Sequence, residues 1–171
     1  MLRRTLVILG TSALLLAAVS CAGDGYDAGD SADVVLQVQN MTVPPINAQL
    51  DATTQICTFT VTESIATLNN VPKSAGEVFS PANDVLVTSL TITYQWDDGF
   101  NMAPYVTSPR VVVPAGGTGQ IRFIAAPLTQ LLGTGRDGHS ADMTIVFDGT
   151  TEAGDNLQAV GGAALIVNSC Q

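Results

Sequence analysis

Hydrophobic and polar residues alternate with a period of two along most of the chain after residue 33. This is the period of a β-strand with one buried face, whereas an amphipathic helix repeats about every 3.6 residues. Turn-forming Gly, Pro, Asn and Asp residues separate the alternating stretches. The pattern predicts seven strands, at residues 33–41, 56–62, 85–96, 106–113, 120–126, 143–147 and 157–167.

The stretch 85–96 is the longest predicted strand. Its sequence VLVTSLTITYQW places mainly Ser and Thr on one face, and on the other face Leu86, Leu90, Ile92, Tyr94 and Trp96. The Gly-rich turn at 114–117 predicts a hairpin of 106–113 with 120–126, and 127–132 predicts a single helical turn. Seven strands in about 140 residues favour an antiparallel β-sandwich of Greek-key type, with Trp96 as its largest core side chain.

The first twenty residues have the organisation of a signal peptide. Arg3 and Arg4 give a positive start, and an apolar run of 14 residues follows at 6–19, interrupted only by Gly10, Thr11 and Ser12. This run is shorter than the about 20 apolar residues that cross a bilayer as a helix. We therefore expect residues 1–20 to direct export and to be absent from the mature protein.

Small residues precede a cysteine at the end of this segment, in the sequence AAVSC at 17–21. The sequence resembles the lipobox of bacterial lipoproteins, although that family prefers Leu where this chain has Ala18. The resemblance implies that Cys21 becomes the lipid-modified first residue. Ala22, in the position of an Asp that retains such proteins in the inner membrane, implies the outer membrane. Ordinary secretion with cleavage after Ala22 is the alternative.

Residues 21–32 are predicted to be a flexible acidic tether. The sequence from 21 to 33, CAGDGYDAGDSAD, buries too little apolar surface to order itself. Its aspartates recur at every third position, whereas an EF-hand places ligands at alternate positions and ends in Glu. We interpret them as solvated linker residues and place the folded domain at 33–171.

Two cysteines remain in the predicted domain, Cys57 and Cys170. An even pair in an exported protein indicates a disulfide, because the compartments beyond the inner membrane are oxidising. The bond would close a loop of about 110 residues, which is worth about 4–5 kcal/mol on the chain-entropy estimate. It would tie the C-terminal end to the strand at 56–62; two free thiols are the alternative.

Length and charge exclude one class of partner. The 171 residues provide for one domain. Lys and Arg total 6 against 15 Asp and Glu, which gives a net charge of −9. A nucleic-acid-binding protein needs a basic surface, so this class is excluded. Charged residues make up only 12% of the chain, about half the usual share, so Thr and Ser are expected to cover the exposed strand faces.

Three motifs follow one another in the predicted domain: TITYQWDDG, then VPAGGTGQIRF, then the final hairpin MTIVFDGTTEAGDNLQAVGGAALIV. They resemble uncharacterised bacterial lipoproteins with a single immunoglobulin-like domain. The resemblance extends over residues 33–171 and implies an immunoglobulin-like antiparallel sandwich of about seven strands. Because it rests on short motifs, it bears on fold more than on function. Antibody-type domains bridge two inward strands, whereas Cys170 here follows the last strand.

The segment 94–105, YQWDDGFNMAPY, carries four of the nine aromatic residues of the chain beside two carboxylates. Aromatic rings with carboxylates bind sugars, and exposed aromatic clusters also bind proteins. The parity of the strand at 85–96 instead points Tyr94 and Trp96 into the core. The candidate binding residues are Trp96, Asp97, Asp98, Phe100 and Tyr105.

The sequence offers little to an enzyme. His139 is the only histidine, lies in the Gly-rich stretch 133–142, and is next to Ser140 without a nucleophile-elbow motif. With no second His and no free Cys, a Zn or Cu site is not expected, and we predict no catalytic residues. No cofactor is expected; Asp148, Glu152 and Asp155 offer oxygen ligands of the kind that Ca²⁺ uses, although such sequences also form plain turns.

These observations predict a non-enzymatic, lipid-anchored protein of the bacterial envelope. Its expected partners are the membrane, through the N-terminal lipid, and an envelope protein, through a strand edge or loops. It would act as an accessory, adhesion or protein-interaction module. The alternative is a carbohydrate- or small-ligand-binding module that uses the segment 94–105.

Overall fold

The computed structural model describes residues 25–27, 32–54, 56–74, 76 and 79–170. Within these residues the protein is all-β, and the single helical turn predicted at 127–132 is confirmed. The strands are β1 Gly25–Asp27, β2 Val34–Thr42, β3 Asn47–Leu50, β4 Cys57–Thr60, β5 Glu63–Pro72, β6 Val85–Trp96, β7 Tyr105–Thr107, β8 Val111–Val113, β9 Thr118–Ile124, β10 Ser140–Thr151 and β11 Asn156–Ile166. The helical turn α1 is Leu128–Leu131, and a 3₁₀ turn spans Pro81–Asn83.

The strands form two main sheets and a separate hairpin. The larger sheet has the order β1-β11-β10-β6-β7, and β8 also pairs with β6. The smaller sheet has the order β2-β5-β9, and β3 pairs with β4 in the hairpin. All of these strand pairings are antiparallel. The prediction of an antiparallel all-β protein is therefore confirmed.

The buried residues of both sheets form one hydrophobic core. The alternation predicted over 157–167 is confirmed, because alternate residues of β11 face this core. Gly161 of β11 lies against β2 so closely that an added Cβ would be 2.7 Å from Met41 Cε and 3.2 Å from Val38 Cγ2. The absence of a side chain at this position lets the two sheets approach. Trp96 is buried in the same core, as the strand parity predicts.

β6 has the predicted bounds but contains a bulge. Thr88 is the extra residue, since β10 pairs with Val87 and Ser89 on either side of it. An inserted residue exchanges the two faces of a strand on one side of the bulge. Val87 is therefore buried and Leu86 is 38% exposed. The prediction that Leu86 faces the core is wrong.

The chain crosses from one sheet to the other at 114–117, where the sequence predicts a hairpin. β8 pairs with β6 in the larger sheet, and β9 pairs with β5 in the smaller sheet. The hairpin prediction is therefore wrong. The buried side chain of Asn70 holds this crossing, because its Nδ2 donates to the carbonyl oxygens of Asn83 at 2.8 Å and Val113 at 3.2 Å. The predicted strand 106–113 is also divided into β7 and β8 by a segment that contains Pro109.

β5 lies at the centre of the smaller sheet but has no hydrophobic alternation to predict it. Its buried positions are Ser64, Ala66, Leu68 and Asn70, of which only Leu68 is strongly apolar. β3 is likewise unpredicted, and the strand predicted at 56–62 is the shorter β4.

A disulfide joins the β3–β4 hairpin to the end of β11. It connects Cys57 and Cys170, which are 113 positions apart in sequence and have Cα atoms 6.0 Å apart. Ile46, just before β3, forms a parallel bridge with Val167. The predicted disulfide is confirmed, and it fixes the hairpin to the segment that follows β11.

The predicted signal peptide at 1–20, the lipidation residue Cys21 and most of the predicted tether lie outside the described residues. Within the range of the tether, Gly25–Asp27 form β1 and pair with β11. Across the part of the chain that the structure describes, no helix has the length and apolar character needed to span a membrane.

Candidate functional site

Two connections meet at the end of the larger sheet where β6 ends and β10 begins. The turn after β6 is closed by Gly99, whose φ of 75° suits glycine and whose N–H donates to the carbonyl oxygen of Trp96 at 3.0 Å. The other connection, 133–139, leads into β10. Their side chains form what we call the end network, which consists of Asp97, Asp98, Arg136, His139 and Ser140.

Arg136 is the buried member of the end network, with its side chain 9% exposed. Its Nη1 donates to both carboxylate oxygens of Asp98, at 2.7 and 2.8 Å, and its Nε donates to the carbonyl oxygen of Thr134 at 3.1 Å. The guanidinium carbon lies 4.2 Å from the ring centroid of Phe100 and 5.4 Å from that of Trp96. A buried charge needs such partners. Arg136 thus fastens the 133–139 connection onto the turn after β6.

The two carboxylates of the end network are held in their ionised form. The Arg136 guanidinium, with the backbone N–H of Phe100, holds the pKa of Asp98 below its ordinary value. Asp97 accepts hydrogen bonds from the backbone N–H and the Oγ of Ser140, at 3.0 and 3.1 Å, and its Oδ1 lies 2.9 Å from Nδ1 of His139. The Ser140 N–H first, and then His139, lower the pKa of Asp97.

Asp97, Asp98 and His139 are the one group of three possible metal ligands found among the described residues, with ligand atoms within 4.8 Å of one another. Hydrogen bonds already engage both oxygens of each carboxylate. A divalent cation bound here would also lie beside the guanidinium of Arg136. The group therefore does not fit a metal ion.

The predicted calcium residues lie elsewhere. Because β10 runs antiparallel to β6, the turn that follows Thr151 is at the opposite end of the sheet from the end network. Asp148 accepts a hydrogen bond from Nε2 of Gln158 at 2.8 Å. The described residues contain no ligand cluster formed by Asp148, Glu152 and Asp155, and Asp97 and Asp98 are too far along the sheet to join them.

His139 and Ser140 do not have the geometry of a base and a nucleophile. In an acyl-transfer triad the imidazole lies between the hydroxyl and the carboxylate. Here the carboxylate of Asp97 lies between the other two groups, because Oδ1 contacts His139 and Oδ2 accepts from the Ser140 hydroxyl. The contacts hold the start of β10 in place.

The candidate binding residues do not form one exposed platform. Trp96 is 3% exposed, and the edge of its ring meets Phe100 with centroids 6.5 Å apart and an interplanar angle of 78°. Phe100 and Tyr105 are half-buried, and Asp97 and Asp98 are exposed. Solvent therefore does not reach a Trp96 face on which a sugar would stack.

A second feature is the outer face of the larger sheet, which points away from the core. Of the nine large hydrophobic side chains exposed among the described residues, four lie on this outer face. These are Leu86, Val106, Val112 and Ile166. Leu86 is the direct cross-strand partner of Val112. Val106 pairs with Thr91 of β6. Thr91 pairs in turn with Val146 of β10, and Val146 pairs with Val160 of β11.

The outer face is also poor in charge. β6, β7, β8 and β11 contain no charged residue, β10 contains Asp142 and Asp148, and the short β1 contains Asp27. β6, β10 and β11 have 11 or 12 residues each, and the three-residue strands β7 and β8 lie beside them. At about 3.3 Å per residue and about 4.8 Å between strands, they offer about 600 Å². This is somewhat less than the about 800 Å² that each partner contributes to a standard protein interface.

Sequence reasoning did not identify Arg136 or the outer face. A single basic residue in the Gly-rich, charge-poor connection GTGRDGH is the signal that points to Arg136. The bulge in β6 prevents the sequence pattern from predicting the outer face, because regular alternation assigns Leu86 to the core. Asp98, the ion-pair partner of Arg136, is 38 positions away in sequence, so the sequence alone does not bring the two residues together.

No protein-family model matches the chain. No curated protein and no solved structure is significantly similar to it.

Proposed function

We propose that the protein is a lipid-anchored module of the bacterial envelope, with an immunoglobulin-like sandwich that binds a protein partner through the outer face of its larger sheet. The observation that carries the proposal is that four of the nine large hydrophobic side chains exposed among the described residues lie on this face, which carries few charges. Exposed apolar side chains with few charges among them are characteristic of protein-contact surfaces.

The strand order supports the immunoglobulin-like assignment. β2, β5 and β9 form one sheet, and β11, β10 and β6 lie side by side in the other. If β2, β5 and β6 are strands A, B and C, then β9, β10 and β11 are strands E, F and G. The two sheets are then A-B-E and G-F-C, which is the strand partition of an immunoglobulin-like sandwich.

Support for the anchor comes from the sequence and from the disulfide. Residues 1–20 have the charge and length of an export signal, and Cys21 follows small residues. The Cys57–Cys170 bond suits an oxidising compartment outside the cytoplasm. Ala22 after the cysteine favours the outer membrane, by the resemblance described above.

Partner binding is tested with a photo-reactive amino acid at Val106, in the middle of the outer face. The matched control places it at Leu132, which is similarly exposed (54% against 59%) but lies just after α1. Irradiation of intact cells should give a protein adduct at position 106 that is absent or at least tenfold weaker at position 132. Equal adducts at both positions, or none at 106, would overturn the proposed interface.

The anchor is tested separately. Replacement Cys21→Ala should stop incorporation of a labelled fatty acid and move the protein from the detergent phase to the aqueous phase on Triton X-114 partitioning. Ser20→Ala keeps the small residue before the cysteine and should behave as the wild type. A wild-type protein that incorporates no fatty acid would disprove the anchor while leaving the cross-linking experiment valid.

A further inference from the structure

The β3–β4 hairpin stands apart from both main sheets. Across the part of the chain that the structure describes, β3 and β4 pair with each other and with neither main sheet. A two-stranded hairpin on its own is at best marginally stable in water. The hairpin therefore depends on its attachments to the rest of the protein, and these differ between its two ends.

Backbone hydrogen bonds hold the base of the hairpin, where β3 begins. The N–H of Ile46 donates to the carbonyl oxygen of Ile166, and the carbonyl oxygen of Ile46 accepts from the N–H of Asn168, both at 2.9 Å. Nδ2 of Asn168 also donates to Oδ1 of Asn47 at 2.8 Å. Ile46 itself is buried in the core. These contacts fix the base to the segment that follows β11.

The disulfide holds the tip of the hairpin. Cys57 is the first residue of β4 and lies opposite Leu50, the last residue of β3, beside the turn that joins the two strands. Leu50 follows Ile46 by four positions, which is about 13 Å of strand. The bond from Cys57 to Cys170 therefore acts at a distance from the contacts of the base.

The two faces of the hairpin have different characters, because directly opposed residues of an antiparallel pair share a face. The exposed polar face carries Asn47, Gln49, Thr58 and Thr60. The more apolar face carries Ala48, Leu50, Cys57 and Phe59. Phe59 packs against the hydrophobic core. The disulfide thus keeps the apolar face directed toward the body of the protein.

The disulfide is not enclosed in the core. Cys57 and Cys170 are half-buried, and their neighbours Thr58 and Ser169 are exposed. A cleft of about 490 Å³, lined by residues 47, 48, 168 and 169, ends beside Cys170. A thiolate opens a disulfide only if it can reach one of the two sulfur atoms. This bond is therefore placed for exchange with a thiol, unlike the antibody-type bond between two sheets.

Opening the bond would leave the core nearly complete. Both main sheets contribute buried residues to this core, and neither cysteine belongs to it. Phe59 and Val61 are only partly buried where they pack against it. Ile46, at the base, is held by its own hydrogen bonds. Loss of the disulfide therefore acts first on the tip of the hairpin.

We propose that the Cys57–Cys170 bond is a redox latch, which a dithiol oxidoreductase opens to release the tip of the hairpin while both sheets stay folded. A thiolate of the reductant attacks one sulfur atom and forms a mixed disulfide, and the other cysteine leaves as a thiolate and takes up a proton. The second thiol of the reductant then attacks the mixed disulfide. Two electrons pass to the protein, which gains two thiols, and the reductant becomes a disulfide.

Pulsed amide hydrogen exchange with mass spectrometry tests the latch, with dithiothreitol as the dithiol. An alkylated sample, taken in parallel, measures how completely the bond is reduced. During a short pulse the amides of β3 and β4 should exchange at least tenfold faster in the reduced protein, whereas those of β10 should stay protected in both forms. Oxidised dithiothreitol is the control reagent and should change neither.

Two variants separate the latch from the base. Cys57→Ser/Cys170→Ser should show the fast hairpin exchange without reductant. Asn168→Ala removes a side-chain contact of the base and keeps the bond, so its oxidised form should keep the slow exchange. If the double serine variant does not fold, the comparison of reduced and oxidised wild type still decides the question.

Three results would overturn the proposal. Unchanged exchange of β3 and β4 after complete reduction would show that the bond does not hold the hairpin. Fast exchange of β10 within the same pulse would show that the bond braces the whole domain. A bond that dithiothreitol reduces in urea but not under native conditions would show that a dithiol cannot reach it in the folded protein.

Discussion

The guanidinium of Arg136 binds both carboxylate oxygens of Asp98 through the same nitrogen, at 2.7 and 2.8 Å, while its central carbon lies 4.2 Å from the centroid of the Phe100 ring. The ion pair and the ring contact act on the same side chain. They place one of the few positive charges of the protein next to its only tryptophan. The environment of Trp96 therefore reports on the end network.

Replacing Arg136 should open the end network. Arg136→Met keeps much of the side-chain length but removes the hydrogen bonds, so the free energy of unfolding should fall by roughly 1–3 kcal/mol. Trp96 fluorescence should shift to longer wavelength and become more accessible to iodide. Arg122→Met, at an exposed arginine of β9, is the control and should change neither. Unchanged tryptophan emission in Arg136→Met would contradict the assigned contacts.

Acidification should weaken the end network. The pKa values of Asp97 and Asp98 are lowered in the folded protein, so their contribution to stability is present above the unfolded carboxyl pKa of about 3.9 and is lost as the pH falls through the folded values. The difference in urea midpoint between the wild type and Asp97→Asn/Asp98→Asn should therefore shrink from about pH 5 downward. Asp142→Asn is the control on the exposed face of β10. A constant difference across this pH range would refute the prediction.

Two glycines of the larger sheet should respond differently to the same substitution. A Cβ at Gly149 would lie 2.8 Å from Val85 Cγ1 and 3.0 Å from the carbonyl oxygen of Leu86, so Gly149→Ala should destabilise the protein by about 1–3 kcal/mol. At Gly162 the nearest atom would be 3.8 Å away, and Gly162→Ala should be neutral or stabilising by up to about 1 kcal/mol. Thermal unfolding measures both; equal losses would contradict the sheet packing.

Removing the disulfide should produce the largest change in stability. The bond between Cys57 and Cys170 spans 113 positions, and the chain-entropy estimate for such a loop is about 4–5 kcal/mol. Cys57→Ser/Cys170→Ser should lower the urea midpoint, and reductant should lower the wild-type midpoint to the same value. Reductant should not affect the double variant. A wild-type midpoint that is insensitive to complete reduction would contradict a stabilising bond.

The sequence predicts those parts of the fold that alternate regularly. β6 has the predicted bounds and β11 the predicted inner face, because both strands are long and have apolar residues on one side. β5 is not predicted, because the polar residues Ser64 and Asn70 occupy core-facing positions and remove the hydrophobic alternation. The turn at 114–117 has the composition of a hairpin, and composition does not reveal that the next strand joins another sheet.

The candidate site is less accessible to sequence reasoning. The sequence shows Asp97, Asp98 and His139 as separate polar residues. They come together only because β6 pairs with β10. Arg136 binds Asp98, which is 38 positions away, and the exposure of Leu86 on the outer face depends on the bulge at Thr88. Both features arise from long-range strand pairing, to which local patterns are insensitive.

The position of the disulfide has a consequence for biogenesis. Cys170 follows β11, and every strand from β5 to β11 lies between it and Cys57. A growing chain therefore cannot form this bond until all of these strands have left the ribosome. If the proposed export takes place, the strands must also cross the membrane first, so the oxidised band on a non-reducing gel marks chains that have been translocated as far as Cys170.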